Sequence, residues 1–236
     1  MKTRFLTLAA FSALLAVASA QQPNGQAGNP PRPTLIIKRT VNPIFPHRLN
    51  EEGISEGSCR VAVSVDSSGK LGEYLVIGYT HPALVEPTIN AIKQWEFEAP
   101  IWNGQPIAMQ RDIEFRFENH GAVVTMDLQS YVGIMVNRVF PERFTYRPRT
   151  LKEIDRIPTP LNAESPAVPK STQGEAVVEF FIDEQGNVRM PSILKADNDT
   201  VAEAATAAVR NWKFEAPTVN GKPVLVRAQQ TFRFQP

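Results

Sequence analysis

The sequence predicts an α+β fold made of two tandem β-β-α-β units, each a small antiparallel sheet packed on one helix. Three observations lead to this prediction: an internal repeat, segments of each copy in which apolar residues alternate, and a helical apolar pattern that follows them. In the repeat, 17 residues between Gly57 and Phe117 recur unchanged 117 positions later, without a gap. So many identities at one spacing indicate two copies of one structural unit.

The first strand of each unit is predicted by alternation with a period of two. Apolar residues occupy every second position in segments 59–65 and 176–182, which is typical of a strand with one buried face. The tetrapeptides 66–69 and 183–186 then begin with Asp and end with Gly, and such residues favour tight turns. Each copy therefore starts with a β-hairpin.

The returning strands of the hairpins cover residues 71–79 and 188–194. Pro191 lies within the second of them, and because proline lacks a backbone N–H we expect this strand at a sheet edge. A closing strand is predicted in each copy, over residues 107–117 and 224–234. Pairing it with the first strand gives the strand order 2-1-3, so the second and third strands would both be free edges.

A helix is predicted between the hairpin and the closing strand. In the second copy, residues 199–212 are rich in alanine and carry apolar residues at spacings of three and four, with Asp199 as the predicted N-cap. In the first copy Pro87 lies inside the corresponding segment, so we expect a shorter or kinked helix there.

The amino-terminal residues 1–20 are typical of a secretory signal peptide. Lys2 and Arg4 precede an apolar run, and Ala18 and Ala20 form a small-x-small cleavage pattern. The run is shorter than the ~20 residues needed to cross a bilayer. We therefore expect cleavage after Ala20 and a periplasmic protein that reaches the membrane only through its partners.

The rest of the chain divides into four predicted segments. Residues 21–36 form a Pro-rich linker, residues 37–120 the first domain, and residues 157–236 the second. Residues 121–156 form a connector that we expect to be helical, because apolar residues recur at helical spacing over residues 127–139. Within the connector, Thr150 and Glu153 have the spacing of a capping box.

Composition excludes several functions. Lys and Arg number 25 against 24 Asp and Glu, so the formal charge of +1 excludes nucleic-acid binding by bulk attraction to phosphate. The lone cysteine, Cys59, excludes an intramolecular disulfide or a thiolate zinc cluster. Cys59 lies on the apolar face of a predicted strand, where a thiol is inert. With no set of nucleophile, base and orienting group, we expect no enzyme, cofactor or metal.

A shared motif in both copies resembles a known family, the C-terminal domain of TonB-type energy transducers. Both copies carry a Trp-x-Phe-x-Ala-Pro segment, then Asn-Gly-x-Pro, then a closing aromatic strand. The structural residues of the motif are Trp95, Phe97, Pro100, Asn103 and Gly104 in the first copy, and Trp212, Phe214, Pro217, Asn220 and Gly221 in the second. The copies differ upstream: Pro46 precedes Gly57 by eleven residues, whereas Pro169 precedes Gly174 by five.

The resemblance implies a partner and a binding mode. Domains of this family capture an extended segment of outer-membrane receptors by β-strand addition, so a receptor or other envelope protein is the expected partner. The expected contacts lie on the third strands: Val226, Arg227, Ala228, Gln229 and Gln230, with Met109, Gln110 and Arg111. Two alternatives remain open, a membrane-anchored energy transducer that retains its N-terminus and a structural homodimer that pairs its own sheet edges.

Overall fold

The structure is a computed structural model that describes residues 34–102, 104–119, 121–126, 144–169 and 171–235. The predicted signal peptide and the predicted connector helix over residues 127–139 lie outside the described residues.

A shared order of elements occurs twice along the chain, and among the described elements the first repeat has one additional helix and one additional strand. The described elements of the first repeat are β1 (Ile37–Arg39), α1 (His47–Glu51), β2 (Glu56–Val65), β3 (Leu71–Tyr79), α2 (Val85–Ile92), β4 (Glu96–Phe97), β5 (Ile101–Trp102), β6 (Gln105–Pro106), β7 (Met109–Glu118) and β8 (Gly121–Met126). Those of the second are β9 (Pro160–Asn162), β10 (Gly174–Ile182), β11 (Val188–Ala196), α3 (Asp199–Arg210), β12 (Lys213–Phe214), β13 (Thr218–Val219), β14 (Lys222–Pro223) and β15 (Val226–Phe234).

Each repeat is built on an antiparallel sheet, and the fold is α+β as predicted. The second sheet has the order β11-β10-β15, which is the predicted order 2-1-3. It places Pro191 on an edge strand, as expected. The first sheet has the order β3-β2-β7-β8. Its third strand is therefore covered by β8, in a segment that the sequence assigned to the connector.

The hairpin turns form where the sequence predicts them. The Oδ1 atom of Asp66 accepts hydrogen bonds from the backbone N–H groups of Ser68 and Lys70 at 2.8 and 3.0 Å. Asp183 does the same for the N–H groups two and four residues further on, at 3.0 and 2.8 Å. Gly186 closes the second turn with a φ of 82°, a conformation that glycine adopts without strain. Both aspartates thus serve the backbone of a turn.

The helices differ from the prediction at their ends. Asn198, not Asp199, caps α3, because its side chain accepts a hydrogen bond from the Val201 N–H at 3.0 Å while its backbone is extended. Asp199 is instead the first helical residue, where its charge favours the N-terminus. In the first repeat, α2 is shorter and follows a 3-10 turn at Pro82–Leu84. Pro87 lies in the first turn of α2, where its missing N–H costs little.

Each repeat has its own core between the sheet and the helix. The core of the first includes Leu49 of α1, Ile92 of α2 and Phe115 of β7, all fully buried. The core of the second includes Val178 of β10 and Val209 of α3. Helix and sheet thus bury their apolar sides against each other, as layered α+β domains do.

A third apolar cluster joins the two repeats. It consists of Ala62 and Ile77 from the first sheet and Phe181, Met190 and Leu225 from the second repeat, all at most 4% exposed. These residues lie on the sheet faces turned away from the helices. The two sheets therefore pack on each other and form one continuous body.

Polar contacts surround this inter-repeat cluster. Arg227 lies over the Phe181 ring and its guanidinium is 3.2 Å from the Asp112 carboxylate. Tyr146 donates a hydrogen bond to Glu184 at 2.6 Å, and burial together with that carboxylate raises the pKa of the tyrosine. Arg189 also pairs with Glu73 across the interface, and the Gln110 side-chain amide donates to the Pro191 carbonyl.

The described part of the connector runs along the edges of both sheets. Tyr146 forms an isolated β-bridge with Tyr79 of β3, and Arg149 forms one with Val226 at the start of β15. The predicted capping box is present as a turn, in which the Glu153 carboxylate accepts hydrogen bonds from the Thr150 N–H and hydroxyl at 2.9 and 3.0 Å. No helix follows it within the described residues.

Candidate protein-binding edge

The outer side of β15 is a sheet edge that no described strand covers. The strand pairs with β10 in unbroken register from Gly174↔Phe234 to Ile182↔Val226. On its other side, Arg227 donates its backbone N–H to the Arg149 carbonyl at 2.9 Å. Because alternate residues of a strand point their backbone groups to the same side, the N–H groups of Gln229, Thr231 and Arg233 also face outward. No described strand pairs with them.

The equivalent edge of the first repeat is occupied. Strand β8 pairs antiparallel with β7 from Ile113↔Met126 to Glu118↔Gly121. The prediction of a free third strand in the first repeat is therefore wrong over residues 113–118, because the chain turns back at the end of β7 and satisfies these backbone groups itself.

The predicted contact residues of β7 precede the part covered by β8. Met109 is buried at 6% exposure, and the Gln110 side-chain amide donates to the Pro191 carbonyl at 3.0 Å. Arg111 donates to the Gln110 carbonyl at 2.8 Å. All three line a groove of about 760 Å³ between the repeats, opposite Ile193 of β11. The Gln110 side chain thus reaches the second repeat, whereas Met109 packs in the core of the first repeat.

The predicted contact residues of β15 fall into two groups. Val226 and Ala228 are buried in the core of the second repeat, and Arg227 is held at the inter-repeat interface by Asp112. Gln229 and Gln230 are exposed. Only these two of the five offer accessible side chains, so a partner at this edge would be held mainly through the backbone.

The structural motif residues lie where the elements join. The Pro100 carbonyl accepts a hydrogen bond from the Ile107 N–H at 2.8 Å, and Pro217 does the same for Val224 at 2.9 Å. Asn220 and Gly221 have φ values of 50° and 72°, as a two-residue hairpin turn between β13 and β14 requires. Gly104 has a φ of 78° in the first repeat, and its neighbour Asn103 lies outside the described residues.

Aromatic residues beside the β15 edge are less buried than their counterparts. The set of Trp212, Phe214, Phe232 and Phe234, here called the aromatic face, is half-buried. Trp212 packs on Phe232 with ring centroids 5.5 Å apart, and Phe232 packs on Phe234 at 6.4 Å. The equivalent residues of the first repeat, which are Trp95, Phe97, Phe115 and Phe117, are at most 5% exposed.

The first repeat has a cover that the second lacks in its described residues. Phe45 contacts Phe117 edge-on at 6.4 Å, and Leu49 of α1 is fully buried against the same core. Helix α1 lies between Pro46 and Gly57, in the stretch that is six residues longer than its counterpart in the second repeat. The unequal spacing between the proline and the glycine in the two copies indicated that the first repeat has extra residues. It did not indicate which side of the core those residues cover.

The two buried charged side chains among the described residues of the first repeat, Arg60 and Glu114, pair with each other. Arg60 and Glu114 form a salt bridge at 2.7 Å with side chains at most 9% exposed. Burial acts to raise the pKa of Glu114, but the hydrogen bonds and charges of Arg60 and Arg116 together hold it below its usual value. Burial raises the pKa of Cys59 to about 11, which favours the protonated thiol at neutral pH, as is usual for a buried cysteine.

A metal cluster and a membrane-spanning helix are both absent from the described residues. Within the described residues, no three His, Cys, Asp or Glu side chains are grouped so that they could hold a metal ion. Nor does the described part of the chain contain a helix long and apolar enough to cross a membrane.

The fold and its open edge define a class of small α+β module, in which one helix packs on an antiparallel sheet of order 2-1-3. The family model described as "Gram-negative bacterial TonB protein C-terminal" matches residues 41–118 and residues 166–236. The two segments cover more than half of the chain, and each contains one repeat. This protein belongs to the TonB C-terminal family.

Two relatives illustrate the similarity. The chain is 30% identical to Protein TonB of Vibrio cholerae serotype O1 over 87 residues, which are 36% of this chain and 35% of that protein. It thus spans about a third of the length of this curated relative. A solution NMR structure of the Pseudomonas aeruginosa TonB CTD is 25% identical, with a TM-score of 0.31, and the match covers 37% of this chain and 93% of that one.

Proposed function

We propose that this protein is a non-enzymatic periplasmic binding protein of the cell envelope, and that it binds an extended segment of a partner protein by strand addition at the β15 edge. The observation that carries the proposal is the outward-facing backbone of Gln229, Thr231 and Arg233, for which no described strand provides a partner. Such an edge is a template for an incoming strand. Family membership supports an outer-membrane receptor or another envelope protein as that partner.

The binding role is proposed for the second repeat and not for both. In the first repeat, β8 already makes the backbone hydrogen bonds that a partner strand would make. A partner could pair there only after displacing β8, which would leave the displaced backbone groups unpaired until water reached them. The duplication thus supplies one binding edge and one scaffold that holds it.

The proposal is tested by photo-crosslinking in the native envelope. A photoreactive amino acid at Gln229, which is exposed on the edge strand, should form adducts with envelope proteins. In the same background, Thr231→Pro removes one outward N–H, and proline is tolerated on an edge strand when its N–H faces solvent. Thr231→Ala is the matched control, because it removes the side chain and keeps the N–H.

We expect the adducts to persist in Thr231→Ala and to disappear in Thr231→Pro. Both variants should melt within a few degrees of the parent protein, since no described strand pairs with the outward N–H of Thr231, and both variants keep the Thr231 carbonyl that accepts a hydrogen bond from the Gln230 side-chain amide at 2.8 Å. Equal adducts in the two variants would show that backbone pairing at this edge is not the binding mode.

A second candidate, an anchored energy transducer, is favoured by the similarity to Protein TonB. It differs from the leading proposal in its N-terminus. An intact mass that begins at Gln21 and release from membranes at high pH would support the cleaved periplasmic protein. A mass that retains residues 1–20, with retention in the membrane, would support the transducer.

A third candidate, a homodimer through paired edges, uses the same surface. Light scattering over a dilution series distinguishes it, because a dimer formed through β15 should dissociate in Thr231→Pro but not in Thr231→Ala.

A further inference from the structure

We propose that the second repeat selects peptides with apolar residues at alternate positions, which pack on the aromatic face formed by Trp212, Phe214, Phe232 and Phe234. This inference rests on the proposed function, since it concerns the peptide that would add to β15. It names the chemistry of the partner segment, which backbone pairing alone leaves open.

Equivalent aromatic residues of β7 and β15 differ in burial. Phe115 and Phe117 of β7 are 0% and 1% exposed, whereas Phe232 and Phe234 at the same positions of β15 are half-buried. Partly exposed aromatic groups that lie together beside an edge strand mark an interaction surface more often than isolated ones do. The first repeat shows that this position in the fold can be completely covered.

In the first repeat, a strand of the same chain already occupies the equivalent edge. Strand β8 runs antiparallel to β7 and places position 124 opposite Phe115 and position 122 opposite Phe117. The first repeat therefore contains, in the same chain, an example of an extended segment seated on this edge. By the repeat offset of 117 residues, the equivalent positions in the second repeat lie opposite Phe232 and Phe234.

The register determines which side chains of a peptide would reach the aromatic face. Residues directly opposite each other in an antiparallel pair project on the same side of the sheet. Phe232 and Phe234 project toward the core side of β15. Peptide residues opposite them would therefore contact the aromatic face, and the intervening peptide residues would point to the other side, where Glu175 and Arg233 form an ion pair at 3.1 Å.

The exposed edge of β15 is uncharged in its middle. Gln229, Gln230 and Thr231 form the middle of the exposed strand and carry no charge. Natural proteins often protect free edges with charged residues, prolines or bulges, and β15 has no bulge in its register with β10. The two charged residues of the strand that flank this segment are both engaged, Arg227 by Asp112 and Arg233 by Glu175. This edge can therefore pair with an uncharged peptide segment that has apolar residues at alternate positions.

The test uses a fluorescent peptide with the sequence of residues 120–127, which contains β8. Two variants of this peptide have the same net charge as each other. They differ only in which face of the extended peptide carries the substitutions. One carries Ala122→Asp and Val124→Asp, at positions that would lie opposite Phe234 and Phe232. The other carries Val123→Asp and Thr125→Asp, at positions that would point away from the aromatic face. Binding to the intact protein is measured by fluorescence polarisation.

We expect the parent peptide to bind weakly and the first variant to bind about tenfold more weakly or worse, because charged groups would meet the apolar rings. The second variant should stay within about threefold of the parent peptide, since its substituted residues face solvent. Binding of the parent peptide should be lost in Thr231→Pro and kept in Thr231→Ala.

The outcomes separate this inference from the proposed function. If both peptide variants bind equally and Thr231→Pro still abolishes binding, the edge binds strands but the aromatic face does not select them. If Thr231→Pro binds the peptide as well as the parent protein does, the peptide occupies another place and both proposals are wrong. A parent peptide that does not bind, with a β15-dependent dimer in light scattering, would assign the edge to a second copy of the chain and overturn the inference.

Discussion

Trp95 and Trp212 occupy the same position in the two repeats but differ in environment. The Trp95 indole is 5% exposed and donates to the Val41 carbonyl at 2.9 Å. Trp212 is half-buried and donates to the Glu164 carbonyl at 2.8 Å. The sequence predicts both as core anchors from the shared motif. It does not predict their unequal burial, which depends on covering segments outside the motif.

This difference gives a prediction for single substitutions. Trp95→Ala should lower the free energy of unfolding by about 3–5 kcal/mol, the usual cost of removing a large buried aromatic side chain. Trp212→Ala should cost about half of that, because a partly exposed ring loses less buried area. Chemical denaturation of both variants measures the two values. Equal costs would contradict the difference in burial.

Glu153 makes the stability of the connector depend on pH. A hydrogen bond from Arg147, helped by Thr150, lowers the pKa of Glu153 to about 2 from its ordinary value of 4.5. A carboxylate with a lowered pKa in the folded state stabilises the protein fully above the unfolded-state value, and that stability is lost as the pH falls through the folded-state value.

We therefore expect Glu153→Gln to be less stable than the parent at pH 7, by about 1 kcal/mol or less, as for partly exposed ion pairs. The difference should shrink between pH 4.5 and pH 2. Thermal melts of both proteins across this range test the expectation. A difference that stays constant down to pH 2 would show that the charge of Glu153 does not contribute.

At the scale of elements, the turn after β10 shows how closely two segments approach. A Cβ atom on Gly186 would lie 2.0 Å from the Phe214 carbonyl oxygen, and the Gly186 carbonyl accepts a hydrogen bond from the Phe214 N–H at 2.8 Å. Gly221 has a similar positive φ of 72°, but a Cβ atom there would have no neighbour within 4 Å. Substituting Gly221 therefore measures the energetic cost of the backbone conformation alone, whereas substituting Gly186 adds the cost of a steric clash.

Gly221→Ala should destabilise the protein by about 1–2 kcal/mol, the cost of a left-handed backbone for a residue with a Cβ atom. Gly186→Ala should cost clearly more, because the turn must also move away from β12. Denaturation midpoints of the two variants give the comparison. Equal effects would indicate that the turn shifts without resistance.

The elements of each repeat were predictable, but their environment was less so. Alternation predicted the hairpins, and the position of Pro191 predicted an edge strand. The covering of β7 by β8 was not predicted, because residues 121–126 were assigned with the connector. The N-cap was misplaced by one residue since Asn198 and Asp199 are both good capping residues, and only the backbone geometry separates them.

At the scale of the whole molecule, the repeats are joined through unlike surfaces. The first repeat contributes Ala62 and Ile77, and the second contributes Phe181, Met190 and Leu225. None of these residues is equivalent to another across the repeat. The sequence repeat could therefore predict two units but not their contact, because the contact residues are the ones in which the copies differ.

The shared cluster should make the repeats unfold together. Leu225→Asp would bury a charge without a partner in the cluster, so we expect a loss of about 3 kcal/mol or more, or separate melting of the repeats. Leu194→Asp is the control, because Leu194 is an apolar residue of the same repeat that is 49% exposed, and it should change stability by about 0.5 kcal/mol at most. Calorimetry distinguishes one transition from two.

In the second repeat no described strand covers the third-strand edge, whereas in the first repeat β8 covers it. Residue-resolved hydrogen exchange of the free protein distinguishes the two edges. We expect rapid exchange of the Thr231 amide, whose N–H faces outward from β15, and slow exchange of the amide of Glu114, the equivalent residue of β7, which pairs with Thr125 of β8. Equal protection of the two amides in a monomer would contradict this difference between the edges.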